Sequence, residues 1–189
     1  MRLFIALPVP QPCREAIGVL MERLQKWDPC AFWESPEKLH LTLAFLGEQP
    51  RQEAALKALS QVESPAFPLC FPRLGRFPGK KRDVVFLRPE ESTPLIHLQK
   101  QLALTLEKEG IFLEERPFFP HITLSRQGAK QVAWEKIPLS PLTFPAREVC
   151  LFKSLRSSSG ASYHTLYQIH LEKITPTGRN VPHESIYQR

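Results

Sequence analysis

Cysteines are few in this sequence, and long hydrophobic runs are missing from it. Its 189 residues include four cysteines, which lie far apart along the chain: Cys13, Cys30, Cys70 and Cys150. That spacing indicates neither a zinc cluster nor a disulfide framework, and it favours a reducing, cytoplasmic setting. The apolar opening at residues 3–7 ends at Pro8, so it is too short for a signal sequence or a membrane span. We therefore expect no membrane partner.

Acidic residues are outnumbered as well. The chain has 19 Asp and Glu against 25 Lys and Arg, which gives a formal net charge of +6. This balance favours a polyanionic or phosphorylated partner without establishing one, because many small basic proteins bind nothing of the kind. The length suits a single bilobal domain over residues 1–189, with an irregular C-terminal tail expected from about residue 174 to 189.

One short pattern occurs twice. The two copies, Leu39–Gly47 and Pro120–Arg126, each contain a histidine and a threonine that alternate with apolar residues. Such alternation is typical of a β-strand, in which side chains two positions apart share a face. His40 and Thr42 should therefore point to one side, and the second copy should repeat the arrangement.

Strict alternation also predicts where the neighbouring side chains of these strands point. It puts Leu43 and Phe45 on the face opposite to His40, toward a core. It aims Arg126 away from Thr123, unless the strand ends or bulges between them. Arg126 is then either a phosphate ligand or a member of a surface salt bridge.

A single histidine on an apolar strand is usually a packed core or edge residue. Two copies that are 81 residues apart instead suggest two similar halves, each offering one imidazole and one hydroxyl to a shared cleft. His40 and His121 would then divide acid and base roles near neutral pH. The hydroxyls of Thr42 and Thr123 would donate hydrogen bonds to developing negative charge.

The remaining periodicities predict three amphipathic helices among several strands. The expected helices run from Pro12 to about Trp27, over 52–62, and from a Thr93 cap to Gly110. Residues 67–77 alternate as a strand that Pro68 and Pro72 confine to an edge or a bulge. Residues 149–155 and 163–171 should form a final hairpin. Together these elements indicate an α+β fold with largely antiparallel sheets.

Basic residues are concentrated in one predicted hairpin, at residues 73–88. They are Arg73, Arg76, Lys80, Lys81, Arg82 and Arg88. For any one of them a solvated surface position is the simpler interpretation. As a cluster they would suit the flanking phosphates of a nucleic acid, through a non-specific and salt-sensitive attraction.

These features together resemble the two-histidine (LigT-like) phosphoesterases. More narrowly, they are similar to the RNA 2′,3′-cyclic phosphodiesterases once described as 2′-5′ RNA ligases. The matching stretches are residues 2–6, the two histidine motifs with residues 116–118 before the second, and the final hairpin, so the resemblance extends to about residue 173. A single His-x-Thr is a weak signal, whereas two of them in these flanks and in this order are specific.

The resemblance implies an α+β fold with a bilobal, pseudo-two-fold arrangement of two antiparallel sheets, flanking helices and a central cleft. It implies a monomeric hydrolase that opens the 2′,3′-cyclic phosphate ends of RNA, or cyclic nucleotides, to 2′-phosphates without a metal or other cofactor. By resemblance, His40 is the proton donor and His121 the acceptor, with Thr42, Thr123 and Arg126 binding the substrate. Strand position alone does not order the two histidines.

Several alternatives stay open at this point. The same site would suit 2′-5′ RNA ligation, which is the reverse of one hydrolysis, or a nucleotide- or RNA-binding module without turnover. Phe4 would either stack on a base or pack in the core. Relatives often carry a cleft-facing tyrosine in the last strand, but alternation groups Tyr163 with Tyr167 and leaves His164 opposite. His164 is then solvated, or it takes the place of that tyrosine.

Overall fold

A computed structural model describes residues 1–157 and 160–171, so the expected tail lies outside the described residues. Within them the chain forms nine strands and three helices. In chain order these are β1 (Arg2–Pro8), α1 (Gln11–Leu24), β2 (His40–Glu48), α2 (Glu53–Ser60), β3 (Phe67–Phe71), β4 (Arg73–Phe77), β5 (Asp83–Arg88), α3 (Thr93–Lys108), β6 (Ile122–Gly128), β7 (Leu142–Ala146), β8 (Glu148–Ser157) and β9 (Gly160–His170).

Seven strands form one antiparallel sheet in the order β4-β5-β6-β2-β1-β8-β9, and β3 pairs with β7 in a second, small sheet. The predicted α+β class with antiparallel sheets is confirmed. The large sheet consists of two groups of strands, which meet where β6 pairs with β2. That junction is one residue pair, Leu41 opposite Ile122, and both side chains are buried. The two similar halves expected from the sequence are therefore two parts of one sheet.

Helices cover one side of this sheet and bury its apolar side chains. In α1 the buried residues are Ile17, Leu20, Met21 and Leu24, as the helical periodicity predicts. Helix α2 packs on β8 and β9, and α3 packs on α2 and β2. None of the helices in the described part of the chain combines the length and the apolar character needed to cross a membrane.

The start of α3 differs from the expectation by one residue. Ser92 rather than Thr93 is the cap, because its hydroxyl accepts a hydrogen bond from the Leu95 N–H at 3.4 Å. Thr93 is already the first helical residue, and the proline that follows it lies in the first turn, where a missing N–H costs nothing.

Pro72 divides the single strand predicted at residues 67–77 into two. It lies between β3 and β4, which belong to different sheets, since proline cannot donate to a strand ladder. β4 is an edge of the large sheet, in agreement with the proline-based prediction. The partner of β3 is β7, which is not among the predicted strands.

The β4–β5 hairpin is closed by a buried carboxylate. Asp83 accepts a hydrogen bond from Arg76 Nη1 at 2.8 Å and from the Gly79 N–H at 3.1 Å, and 1% of its side chain is exposed. Burial raises the pKa of Asp83, but the bonds from Arg76 and Gly79 outweigh it, so its pKa lies below the ordinary value. This group therefore stabilises the hairpin in its ionised form.

We predict that Asp83→Asn lowers the free energy of unfolding by about 1–3 kcal/mol at pH 7, because it leaves buried donors without a charged acceptor. A carboxyl whose folded pKa is lowered contributes stability above its unfolded value of about 3.9, and this contribution is lost as the pH falls through the folded value. In urea unfolding measured from pH 7 downward, the difference in stability between wild type and variant should therefore stay constant to about pH 4 and shrink below it. The exposed Glu107→Gln serves as the control; a constant difference at every pH would contradict the assignment.

Candidate active site

A shift in register turns Phe45 toward the same side as His40. The pairing of β1 with β2 slips by one residue between Ile5 and Ala6, whose partners are Ala44 and Thr42. One extra residue reverses which face the later side chains occupy. Phe45 is half exposed, and its ring lies 6.3 Å from that of Phe4. The predicted orientation of Phe45 toward the core is therefore wrong, because strict alternation ignores the bulge.

A second shift turns Arg126 toward Thr123. Between Val85 and Phe86 the β5–β6 register slips by one residue, so Arg126 and Thr123 line the same cleft although they are three positions apart. Arg126 also donates from Nε to Glu34 Oε1 at 3.1 Å. The guanidinium is thus in the cleft and in an ion pair at the same time. Nothing in the sequence around Glu34 had pointed to this partner.

The Leu41–Ile122 pair sets the register of the two histidine motifs. In an antiparallel pair the positions on either side of it face each other, so His40 comes beside Thr123 and Thr42 comes beside residue 121. Both motifs line one cleft of about 490 Å³. The structure thus brings together the four residues that the repeated pattern singled out, and each imidazole has the threonine of the other motif beside it.

Both imidazoles are held by main-chain carbonyls in the same way. Nδ1 of His40 bonds the Lys38 carbonyl oxygen at 2.6 Å, and Nδ1 of His121 bonds the Phe119 carbonyl oxygen at 2.8 Å. A carbonyl only accepts, so Nδ1 must carry the proton and donate. The neutral rings therefore keep Nε2 unprotonated, and that nitrogen is the one available for proton transfer.

Burial and nearby positive charge keep both rings neutral at pH 7. Burial lowers the pKa of His40 to about 4; its bond to Lys38 opposes this shift and the charge of Arg126 adds to it. The pKa of His121 is also lowered, mainly by burial and further by Arg126 and Arg116. His121 itself contributes to the lowered pKa of His40, so the two rings affect each other electrostatically.

Aromatic rings enclose each imidazole. The ring of His40 lies 5.0 Å from Phe4 and 5.3 Å from Tyr163, and that of His121 lies 5.1 Å from Phe77 and 5.2 Å from Phe86. Phe4 is only 4% exposed, which makes it a packing residue rather than a base platform. These contacts explain why both imidazoles are desolvated.

Tyr163 of the last strand reaches the ring of His40. A one-residue shift in the β8–β9 register, opposite Leu151 and Phe152, separates Tyr163 from Tyr167, so the predicted common face of the two tyrosines is wrong. His164 is exposed, as the solvated alternative proposed. The bulge, which leaves no clear mark in the sequence, explains the error.

Several cleft residues had no predicted role in the site. The walls include Phe77, Phe118 and Phe119, and the guanidinium of Arg116 lies 5.7 Å from the ring centre of Phe45. Aromatic and guanidinium planes of this kind stack on unpaired nucleobases. In residues 1–157 and 160–171 no three histidine, cysteine or carboxylate side chains are grouped as metal ligands.

Comparison with known proteins gives consistent matches over nearly the whole chain. The model of the 2′-5′ RNA ligase superfamily matches residues 9–158. An RNA 2′,3′-cyclic phosphodiesterase of Thermotoga maritima is 33% identical over 91% of this chain and 96% of its own length. The enzyme of that name from Escherichia coli is 35% identical over 69% of this chain and 74% of its own.

Solved structures match as well. Escherichia coli LigT complexed with 3′-AMP superposes with a TM-score of 0.75 at 30% identity, covering 90% of this chain and 97% of that one. A phosphoesterase structure matches with a TM-score of 0.77 at 30% identity, over 91% of this chain and 98% of the other.

We predict that ¹H–¹⁵N NMR titration of the empty protein finds His40 changing charge near pH 4 and His121 below its ordinary value. Arg126→Gln should raise both pKa values, because it removes a positive charge that disfavours each imidazolium, and added salt should weaken the effect. Unchanged titration of both rings in Arg126→Gln would contradict the electrostatic account.

Proposed function

The chain belongs to the 2′-5′ RNA ligase superfamily, and we propose that it hydrolyses the 2′,3′-cyclic phosphate ends of RNA to 2′-phosphates. The observation that carries this proposal is the pair of imidazoles, each with Nε2 unprotonated, in one cleft beside Arg126. The curated relatives named RNA 2′,3′-cyclic phosphodiesterase support the same activity.

Opening a cyclic phosphate requires two proton transfers on opposite sides of phosphorus. In the proposed reaction His121 Nε2 takes a proton from water as its oxygen bonds to phosphorus. The bond from phosphorus to the ribose 3′ oxygen breaks, and that oxygen takes a proton from His40 Nε2. The phosphate remains on the 2′ oxygen, and the two histidines have exchanged protonation states. General acid–base catalysis of this kind contributes about 10²–10⁴-fold per group.

One histidine must gain a proton before it can act as the acid. Both rings are neutral at pH 7, because burial and Arg126 disfavour the imidazolium. A bound phosphodiester brings a negative charge next to the rings, and a neighbouring opposite charge raises an imidazole pKa. Substrate binding and proton uptake are therefore linked, which charges the acid only when a phosphate is present.

Thr42, Thr123 and Arg126 are proposed to hold the non-bridging oxygens. Each motif supplies one hydroxyl at the level of the opposite imidazole, which is where charge develops as water attacks. Arg126 brings a guanidinium that pairs well with phosphate oxygens. Its bond to Glu34 leaves further N–H groups free to donate, since a guanidinium has five.

We further propose that the two His-x-Thr motifs form the catalytic centre, that the protein is cytoplasmic and that it is a monomer. The four cysteines, all free, fit a reducing compartment. The monomeric state remains a prediction, which size-exclusion chromatography with light scattering would test.

We predict that an oligoribonucleotide ending in a 2′,3′-cyclic phosphate is converted to a product with a 2′-phosphate, identified by ³¹P NMR. Turnover should be unchanged after dialysis against EDTA, because the proposed proton carriers are imidazoles. Loss of activity in EDTA would argue for a metal-dependent reaction, and a 3′-phosphate product would reverse the proposed leaving group. Joining of this RNA to a 5′-hydroxyl RNA would reveal ligation.

We predict that His40→Asn and His121→Asn each lower kcat by about 10²–10⁴-fold with little change in thermal stability. Asparagine keeps an N–H that can donate to the carbonyl of residue 38 or 119, but it does not carry protons near neutral pH. His164→Asn makes the same chemical change at an exposed position and should retain full activity. Wild-type turnover in either cleft variant would refute the acid–base roles.

A further inference from the structure

Some arginines of the basic hairpin are in ion pairs and others are not. Arg76 pairs with Asp83 and Glu135, and Arg82 pairs with Asp28. Their charges are thus engaged within the fold. In contrast, Arg73 and Arg88, at the other end of the hairpin, form no ion pair with any described residue.

Arg73 and Arg88 lie directly opposite each other on β4 and β5, and both are exposed. Like charges opposite each other in an antiparallel pair destabilise the sheet. No described carboxylate is ion-paired with either guanidinium to offset this repulsion. An anion bound between the two guanidinium groups would offset the repulsion, so the pair favours a negatively charged ligand.

Both arginines are on the cleft side of the sheet. Phe86, two residues before Arg88, has its ring 5.2 Å from His121, and alternation gives Arg88 the same face. The Phe86 ring also covers Gly75, where a Cβ would come within 2.4 Å of it, so Arg73, two residues earlier, shares that face. These two arginines therefore point to the side on which the histidines lie.

Their distance from the reaction centre follows from the sheet. Leu87 pairs with Ile122, so Arg88 lies in the row of His121, and Arg73 lies one strand further out, at about 5 Å per strand. The Arg88 guanidinium stands 5.2 Å from the ring centre of Phe119, which lines the cleft. Phe119, Arg88 and Arg73 therefore follow one another outward from the cleft.

We propose that Arg73 and Arg88 bind the phosphodiester on the 5′ side of the terminal nucleotide, so that an RNA strand is preferred over a cyclic mononucleotide. This inference rests on the proposed function. In a 2′,3′-cyclic end the 2′ and 3′ oxygens are bonded to the same phosphorus, so the chain continues only through the 5′ oxygen. Guanidinium groups bind phosphate oxygens in a bidentate manner, so two arginines that lie opposite each other can hold one phosphodiester between them.

The test compares two substrates that differ in this phosphate. 2′,3′-cyclic AMP has no 5′ phosphodiester, whereas an oligoribonucleotide with a 2′,3′-cyclic end has one. Arg73→Gln and Arg88→Gln should each lower kcat/KM for the oligonucleotide about two- to fivefold, as expected for an exposed charge pair. Each should leave kcat/KM for cyclic AMP unchanged and reduce the slope of log kcat/KM against log salt by about 1.

The matched control is Arg51→Gln, which removes the same charge from an exposed residue beyond the end of β2 that is remote from His40. It should leave the preference for RNA intact, and Arg73→Lys should restore part of that preference. An equal loss on both substrates, or the same loss in Arg51→Gln, would overturn the proposal. If the wild type opens neither substrate, the proposed function fails. Fluorescence anisotropy with an oligoribonucleotide 2′-phosphate then tests RNA binding by the two arginines independently of catalysis. Unchanged affinity in Arg73→Gln would overturn their role.

Discussion

The contact between Leu41 and Ile122 is the point on which the site depends. It is the one residue pair through which β2 and β6 are joined within the described chain, and both side chains are buried. Because side chains alternate along a strand, fixing this pair also fixes which imidazole lies beside which threonine. Each half of the sheet supplies one histidine and one threonine. The chemistry of the cleft therefore follows from one main-chain pairing between two residues whose apolar side chains are buried.

Desolvation gives the site its electrostatic character. Rings of Phe4 and Tyr163 against His40, and of Phe77 and Phe86 against His121, remove water from both imidazoles. A buried cation is costly without a counter-charge, and Arg126 increases that cost. Neither imidazole has an ion-pair partner among the described carboxylates, so a phosphate bound as proposed would supply the negative charge that the groups around the two rings do not.

The sequence predicted the helices, most strands, the class of fold and the convergence of the two motifs, because periodicity and repetition are visible in it. The errors have a common physical cause. Phe45 and Tyr163 point where strict alternation does not put them, because a single extra residue in a bulge reverses the face. For Arg126 a bulge was one of the stated alternatives, and the structure contains it. Bulges depend on how neighbouring strands twist and pair, and that information is distributed over the whole sheet.

The two histidines are oriented by main-chain carbonyls at residues 38 and 119, and not by side chains. Every amino acid carries such a carbonyl, so the identity of either residue has no direct influence on the tautomer of the ring that follows. For the tautomer alone, substitutions at these two positions are constrained only by backbone shape. A homologue can replace both residues and still keep the same tautomer at both rings.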